Sequence, residues 1–334
     1  MGRRTNLALL VLLAVAFATG WLGFAYGTAP ARWSLVVHAL GGFAIIALLP
    51  WKSIIARRGI RRRRPGRWAS IALAVLVIAS LVGGLLHSTG LLRWWGPYTA
   101  MELHVGAAIG AVPFAVWHIA ARRVRPRPVD LARRNLLRGG ALISAAVAGY
   151  GLSELAVRAT GLPGTSRRFT GSYETGSFDP ELMPVSSWMF DAVPQIDPER
   201  WRLRLVTPLG VRELTYAALQ QFDDHLRCTL DCTGGFWSAQ DWSGVFLSRL
   251  LPDPATASSV RVVSHTGYDR RFPVDHLPRL LLATRLGDRP LNPDHGSPAR
   301  LVAPDRRGFW WVKWVSVIEL DALPNWWQPP FPLQ

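Results

Sequence analysis

Cys232 is the residue best suited to metal chemistry in this chain of 334 residues. It follows Cys228-Thr229-Leu230-Asp231 and precedes Thr233-Gly234-Gly235, so a strand is expected to end at a glycine-rich turn beside it. A thiolate is a soft ligand that suits transition metals, but a buried structural cysteine gives the same pattern. A disulfide with Cys228 is a third alternative, with unfavourable geometry for two positions on one strand. Two cysteines exclude a disulfide scaffold and a four-cysteine metal site.

Four of the eight histidines lie in long apolar stretches: His38, His87, His104 and His118. Ionisable residues at membrane depth are costly and mark functional sites, and neutral imidazole is a common ligand of haem iron. His104 and His118 share a helix face about 21 Å apart, a spacing that suits two stacked haems. Because only His118 lies near the inner end of its stretch, the pattern predicts one outer haem b near His38, His87 and His104. Interfacial histidines bonded to backbone or water remain the alternative.

These histidines would be positioned by membrane-spanning helices. About 20 apolar residues cross a bilayer core, and the first half of the chain has four stretches of about this length and a shorter fifth. The sequence therefore predicts an all-α transmembrane bundle over residues 1–160. The stretches are Leu7–Tyr26, Trp33–Pro50, Trp68–Leu92, Thr99–Ala121 and Gly139–Leu155.

The net charge of +16 is carried entirely by this first half. Residues 1–160 hold 20 basic and 3 acidic residues, whereas residues 161–334 hold 18 and 19. The arginines cluster between apolar stretches instead of on a folded, aromatic-bearing surface, which argues against a nucleic-acid partner. All clusters fall on one side, which the positive-inside rule identifies as cytoplasmic. We therefore expect a multi-pass protein of the cell membrane, in contact with lipid, whose residues after about 160 lie outside the cytoplasm.

The segment Ala132–Arg138 allows two interpretations. Its Arg133-Arg134 pair, followed by a weakly hydrophobic glycine- and alanine-rich stretch, resembles a twin-arginine export motif. Such a signal would carry the outer domain across the membrane already folded, with a cofactor acquired in the cytoplasm. Ordinary positive-inside charge is the alternative.

The second half of the chain has the composition of a water-soluble domain. Residues 161–185 are polar and glycine-rich and are predicted to form a linker, and residues 186–334 an α+β, mainly β, domain. The predicted strands are Trp201–Val206, Ser259–Ser264 and Phe309–Leu320, and the predicted short helices are Tyr216–Phe222 and Val245–Leu251.

Four blocks of this half resemble the molybdopterin domain of the sulfite oxidase family. They are Pro194–Leu203, the Cys232 segment with Trp242–Val245, Ser264–Tyr268, and His295–Val302 continuing through Val312–Val315. They cover nearly the whole outer half in the order of the family, and the last block is the most specific. The resemblance implies the family's fold and a molybdenum–molybdopterin cofactor.

The resemblance also implies roles for individual residues. Cys232 matches the thiolate that ligates molybdenum, while His295 and Arg300 match the pair that holds the pterin and its phosphate. Thr266 and Lys313 match further pterin contacts, and Phe190 and Asp191 lie where the family has another, with a poorer match. Lys313 is one of only two lysines in an arginine-rich chain, which suggests that a compact ammonium is required there.

One departure from the family bears on the substrate. Sulfite oxidases follow their cysteine with an Asn-Arg-Arg type of run that helps to bind an anion, whereas this chain has Thr233-Gly234-Gly235-Phe236-Trp237. The chain more closely resembles the bacterial methionine-sulfoxide-reducing branch, which works with a separate haem-bearing membrane subunit. In this chain, the resemblance implies that the membrane part is fused to the molybdopterin domain.

These features predict a membrane-bound molybdopterin-dependent oxidoreductase. It would reduce an S-oxide or N-oxide with electrons passed through the membrane domain, and a quinone is expected as a further partner. The alternatives are a sulfite-oxidising enzyme of the same family and a cofactor-free binding module on a membrane anchor.

Overall fold

The computed structural model describes residues 2–61, 66–96, 98–124, 127–186, 192–251 and 257–329. The chain divides into two compact units. Unit 1 contains the residues up to Tyr173 together with Thr233–Gly235, and unit 2 contains Glu174–Cys232 and Phe236–Gln334.

Unit 1 is built from long apolar helices, as the sequence predicts. In the described part of the chain, five helices are long and apolar enough to cross a membrane. Their outward faces carry exposed valine, leucine and isoleucine side chains, which suits a lipid environment. The helices are α1 (Gly2–Ala25), α2 (Arg32–Arg61), α3 (Arg67–Thr89), α4 (Ala100–Ala121) and α5 (Arg133–Ala159).

Helix α4 has a well-defined start that fixes the position of the histidines along it. The Thr99 side chain accepts a hydrogen bond from the backbone N–H of Glu102 at 3.0 Å, and the Glu102 carboxylate accepts one from the N–H of Thr99 at 2.8 Å. This reciprocal capping box satisfies two N–H groups that a helix start leaves without intrahelical partners. A short hairpin of β1 (Trp94–Trp95) and β2 (Tyr98–Thr99) precedes it.

Unit 2 contains two sheets and only short helices. One sheet has the order β11-β10-β7-β3, with β12 also on β10 and β6 also on β7; the other has the order β5-β4-β13-β8-β9. All pairings in the second sheet are antiparallel except that of β13 with β4. The strands are β3 (Tyr173–Glu174), β4 (Arg202–Thr207), β5 (Gly210–Thr215), β6 (Asp224–Asp231), β7 (Phe236–Phe246), β8 (Ser259–Ser264), β9 (Asp269–Pro273), β10 (Leu281–Leu286), β11 (Arg289–Pro290), β12 (Arg300–Val302) and β13 (Val315–Asp321), and the helices are α6 (Tyr216–Leu219) and α7 (Leu247–Leu250).

The β6–β7 hairpin places Cys232 directly after a strand, as predicted. The two strands pair from Asp224 opposite Gly244 to Asp231 opposite Trp237. Gly244 is required by the neighbouring strand β10, because a Cβ there would lie 2.0 Å from the carbonyl oxygen of Leu282. Any larger residue would push β10 away from β7, so Gly244 keeps these two strands paired at the open end of the hairpin.

Two predicted segments differ from the structure. The stretch predicted as a linker packs on β7: the N–H of Thr175 donates to Trp237 O at 2.9 Å, and Gln240 donates to Gly176 O at 2.6 Å. Backbone pairing with a sheet edge orders a polar segment that has no apolar pattern of its own. The strand predicted from Phe309 begins only at Val315, because Gly308–Trp310 forms a 3-10 helix. The aromatic residues of that segment are buried by tertiary packing instead of lying in a strand.

Candidate active site

Cys232 is buried at the end of the β6–β7 hairpin, with only 4% of its surface exposed. Its N–H donates to the carbonyl oxygen of Phe236 at 2.8 Å, which closes the turn. Its Sγ lies 3.0 Å from the hydroxyl oxygen of Ser186. The thiol is therefore held in one position by the backbone of the hairpin and by a polar neighbour.

A buried ion pair of Arg307 and Asp231 contacts the carbonyl oxygen of Cys232. Nη2 of Arg307 donates to Cys232 O at 2.7 Å and lies 3.3 Å from Oδ1 of Asp231. Both side chains are at most 5% exposed. Sequence reasoning missed Arg307, since nothing local distinguishes it from the adjacent Arg306.

Arg300 is a buried cation with an unused donor. Its Nη1 donates to His295 O at 3.2 Å, and its guanidinium carbon lies 5.4 Å from the Trp242 ring and 5.7 Å from the Trp311 ring. Among the described residues, Nε of Arg300 has no hydrogen-bond partner. Burial lowers the pKa of Arg300 to about 10, while the nearby charge of Cys232 acts to raise it. Arg300 thus remains a cation at neutral pH, and a buried cation with an open N–H favours an anionic ligand.

His295 and Lys313 lie beside Arg300. Gly296, with φ +108°, lies close to both Arg300 and Lys313, because a Cβ at this position would be 3.2 Å from the Cβ atom of each. Burial, followed by the charge of Arg300, lowers the pKa of His295 to about 4. His295 is therefore neutral at pH 7, and its Nε2 lies 3.2 Å from the carbonyl oxygen of Met183, which identifies Nε2 as the protonated nitrogen.

The segment Met183–Ser186 connects the site residues, although sequence reasoning assigned no role to it. Nζ of Lys313 donates to Ser186 O at 2.9 Å and to Asp294 O at 2.7 Å. Ser186 therefore contacts Cys232 through its hydroxyl and Lys313 through its carbonyl, while Met183 contacts His295. These carbonyls orient the ammonium of Lys313 without neutralising its charge.

The other residues predicted to contact the pterin are Thr266, Phe190 and Asp191. Thr266 lies in the β8–β9 turn, its hydroxyl 3.1 Å from that of Ser264. The N–H of His265 donates to Trp314 O at 2.7 Å, which brings this turn beside the residue that follows Lys313. Phe190 and Asp191 lie outside the described residues. Cys228 lies within β6 and forms no disulfide with Cys232.

In unit 1, two of the four histidines come together. His38 of α2 and His104 of α4 have ring centroids 5.7 Å apart and ring planes at 85°. Nδ1 of His38 lies 2.7 Å from Ala16 O, and Nδ1 of His104 lies 2.7 Å from Ser80 O. A carbonyl accepts only from a protonated nitrogen, so both Nδ1 atoms carry the proton and both Nε2 atoms are the unprotonated, metal-binding type.

The other two histidines have different neighbours. Nε2 of the buried His87 lies 2.8 Å from Gly171 O, and its ring lies 5.4 Å from that of Tyr173. Nδ1 of His118 lies 3.0 Å from the hydroxyl of Ser70. The grouping of His87 with His38 and His104 stays a prediction; in the structure the carbonyl oxygen of Gly171 lies on the Nε2 side of His87. Sequence position along each helix could not show this, because it fixes depth but not the neighbouring segment.

The comparison with protein-family models bears on unit 2. Residues 190–326 match the oxidoreductase molybdopterin binding domain. Unit 2 carries this domain. The match confirms the prediction of a molybdopterin-dependent oxidoreductase, and the mixed sheet domain of unit 2 agrees with it.

One solved structure is similar to part of this chain. The crystal structure of the sulfane dehydrogenase SoxCD from Paracoccus pantotrophus shares 22% identity with this chain, with a TM-score of 0.37. The similarity covers 39% of this chain and 40% of that one. No curated protein matches the sequence.

The residues of unit 2 fit the cofactor that this domain binds. The pterin carries a phosphate, and the buried Arg300 offers it an N–H that has no partner among the described residues. No group of three or more His, Cys, Asp or Glu side chains suited to a metal occurs in the described part of the chain. A metal bound at the hairpin would take the buried Cys232 as its thiolate ligand, with the cofactor supplying the others.

Proposed function

We propose that this chain is a membrane-bound oxidoreductase that transfers an oxygen atom at a molybdenum–molybdopterin centre in unit 2. The observation that carries the proposal is the buried thiol of Cys232 near the buried cation Arg300, whose Nε has no partner within the described structure. When bound, the centre supplies two-electron oxygen-atom transfer.

Each residue of the site would have a different role in binding this cofactor. The Cys232 thiolate would ligate the metal, and the hydroxyl of Ser186 at 3.0 Å would donate to the sulfur. Arg300 and Lys313 would bind the phosphate and the polar edge of the pterin, Arg300 with a planar fork and Lys313 with a compact charge. Neutral His295 would add a hydrogen bond without adding positive charge. Thr266, Phe190 and Asp191 are proposed as further pterin contacts.

Reduction of an S-oxide or N-oxide is the direction we propose. The turn after Cys232 contains glycines, Phe236 and Trp237, so it offers no cation to a sulfite anion. Arg270 and Arg271, which follow Tyr268 and could in principle replace one, are used elsewhere. Arg270 donates to Pro329 O at 3.0 Å, and Arg271 pairs with Asp321. A neutral substrate with an apolar body and one polar oxygen suits an aromatic wall better.

The electrons for this reaction would pass through unit 1. His38 and His104 would hold a haem b between α2 and α4 by their Nε2 atoms, and the haem would supply one-electron transfer. A quinone is the proposed partner on the membrane side. His87 and His118 are not proposed as ligands of this haem, because each has the neighbours described above.

The location follows from charge and length. Five helices have the length and composition of membrane spans, and the arginine clusters at one end of them indicate the cytoplasmic side. We therefore propose a multi-pass protein of the cell membrane, with unit 2 outside the cytoplasm and exported by way of the Arg133-Arg134 segment.

Metal and haem content on one membrane preparation tests the proposal. We expect molybdenum and haem in the purified full-length chain, together with dye-linked turnover of sulfoxides or N-oxides. Active, fully folded protein without molybdenum would overturn the proposal. Molybdenum without a Soret band would leave the oxidoreductase and remove the haem.

A sulfite-oxidising enzyme on the same scaffold is the second candidate, because a buried Arg300 near Cys232 also attracts anions. A cofactor-free binding module is disfavoured. Such a module has no use for a buried arginine with an unused donor, which lowers stability unless a ligand pairs with it.

A further inference from the structure

A cavity remote in sequence from the cofactor residues lies at one end of unit 1. It has a volume of about 550 Å³ and is lined by Arg3, Asn6, Arg123, Val124 and Arg127. The first two residues belong to the start of α1, and the other three follow the end of α4. The proposed oxidoreductase function uses none of them.

The cavity has more positive than negative groups around it. Asp130 is the only acidic residue between Glu102 and Glu154. Its carboxylate accepts two hydrogen bonds of 2.8 Å from Arg3 and one of 2.8 Å from the N–H of Arg127, and lies 3.9 Å from Arg4. That single negative charge is thus largely committed to Arg3.

Arg123 and Arg127 therefore supply uncompensated charge. Over the residues that the structure describes, no carboxylate lies within 4.0 Å of either guanidinium group. Lys52 adds a further positive charge behind the cavity wall, since its Nζ donates to Oδ1 of Asn6 at 3.0 Å. An anion entering the cavity would meet two open guanidinium forks and an amide.

We propose that this cavity binds a phosphate group, presented by an anionic phospholipid or by a soluble phosphate ester. Several oxygens on one tetrahedral centre match several guanidinium N–H groups at once. A cavity of about 550 Å³ holds a head group larger than inorganic phosphate. Basic pockets at the cytoplasmic ends of membrane helices are suited to anionic lipids, which are concentrated in that leaflet.

The experiment uses the full-length protein in detergent. Phosphatidylglycerol, phosphatidylcholine and glycerol 3-phosphate are titrated separately, and bound ligand is counted by native mass spectrometry. We expect Arg123→Gln/Arg127→Gln to weaken phosphate-ligand binding at least about tenfold, the loss expected for charge-assisted hydrogen bonds. Arg57→Gln/Arg58→Gln is the matched control, because it removes the same charge from exposed positions near the end of α2.

The outcomes separate the sources and decide the proposal. Binding of phosphatidylglycerol alone, lost in the cavity variant and kept in the control, identifies a lipid site. Equivalent behaviour of glycerol 3-phosphate identifies a soluble ligand. Equal loss in both variants, or no binding by the wild type, overturns the proposal. Val124→Trp fills the cavity without altering its charge and must also reduce binding, even if the arginine variant is destabilised.

Discussion

Arg307 donates a 2.7 Å hydrogen bond from Nη2 to the carbonyl oxygen of Cys232, and the same nitrogen lies 3.3 Å from the carboxylate of Asp231. One buried side chain therefore fixes the backbone at the proposed metal ligand and neutralises the preceding residue. Arg307 acts through the backbone of Cys232 and the carboxylate of Asp231, so we regard it as a positioning residue.

Removing this guanidinium separates its two roles. Arg307→Met leaves Asp231 buried and uncompensated, which we expect to lower the free energy of unfolding by about 3–5 kcal/mol. Arg307→Met/Asp231→Leu removes both charges and should recover most of that loss. We expect molybdenum content to stay low in both variants, because the Cys232 carbonyl has lost its donor. Denaturant unfolding and elemental analysis measure the two quantities, and full molybdenum content in the double variant would limit Arg307 to neutralising Asp231.

Cys232 and Cys228 form a natural pair for testing metal ligation, because they lie on one hairpin and form no disulfide. Cys232→Ser should abolish oxygen-atom transfer and molybdenum binding, since a hydroxyl is a poor substitute for a soft thiolate. Cys228→Ser should retain both. Thermal unfolding of the two variants checks that unit 2 remains folded. Molybdenum bound normally by Cys232→Ser would exclude this residue as the ligand.

The sequence predicted the part of the site that local pattern encodes. The glycine-rich turn after Asp231 pointed to Cys232, and the family-like blocks pointed to Arg300 and Lys313; the structure places all three residues in unit 2. The sequence did not predict Ser186 or Arg307, because their roles come from contacts with Cys232, which is 46 and 75 residues away in sequence. The polar stretch before Ser186 has no periodicity, so only its pairing with β7 reveals that it is ordered. The 3-10 helix Gly308–Trp310 and the left-handed φ of +52° at Trp314 likewise follow from tertiary packing.

The two paired histidines of unit 1 predict a selective effect on haem. His38→Ala and His104→Ala should each remove the Soret band, because each would take away one of the two side chains proposed to hold the haem iron. His118→Ala is the control and should keep the band, since His118 bonds to Ser70 instead. Absorption spectra of detergent-solubilised protein, normalised to protein concentration, provide the measurement. A Soret band unchanged in His38→Ala would refute ligation by this pair.

His295 predicts a pH dependence of stability with a defined sign. Burial and Arg300 lower its pKa from 6.5 to about 4, so the unfolded chain binds a proton between these values that the folded chain does not. The contribution of neutral His295 is therefore complete above about pH 6.5 and is lost as the pH falls towards 4.

The variant His295→Gln tests this sign. We expect the wild type to lose more unfolding free energy between pH 7 and pH 5 than the variant does. His276, whose pKa burial and Arg306 also lower, contributes the same slope to both proteins and cancels in the comparison. Identical pH profiles would show that His295 does not titrate as its surroundings predict.

Substrate preference is the sharpest test of the proposed direction. The turn after Cys232 lacks the arginines that sulfite-binding relatives place there, and each missing charge-assisted contact costs about 1.5–3 kcal/mol, or roughly ten- to a hundredfold in affinity. We therefore expect kcat/KM for methionine sulfoxide reduction to exceed that for sulfite oxidation on one preparation. Thr233→Arg introduces a cation beside the thiolate and should narrow the gap by raising kcat/KM for sulfite. Faster turnover of sulfite than of any sulfoxide or N-oxide by the wild type would reverse the assignment, because an anion site would then have to exist without arginines in this turn.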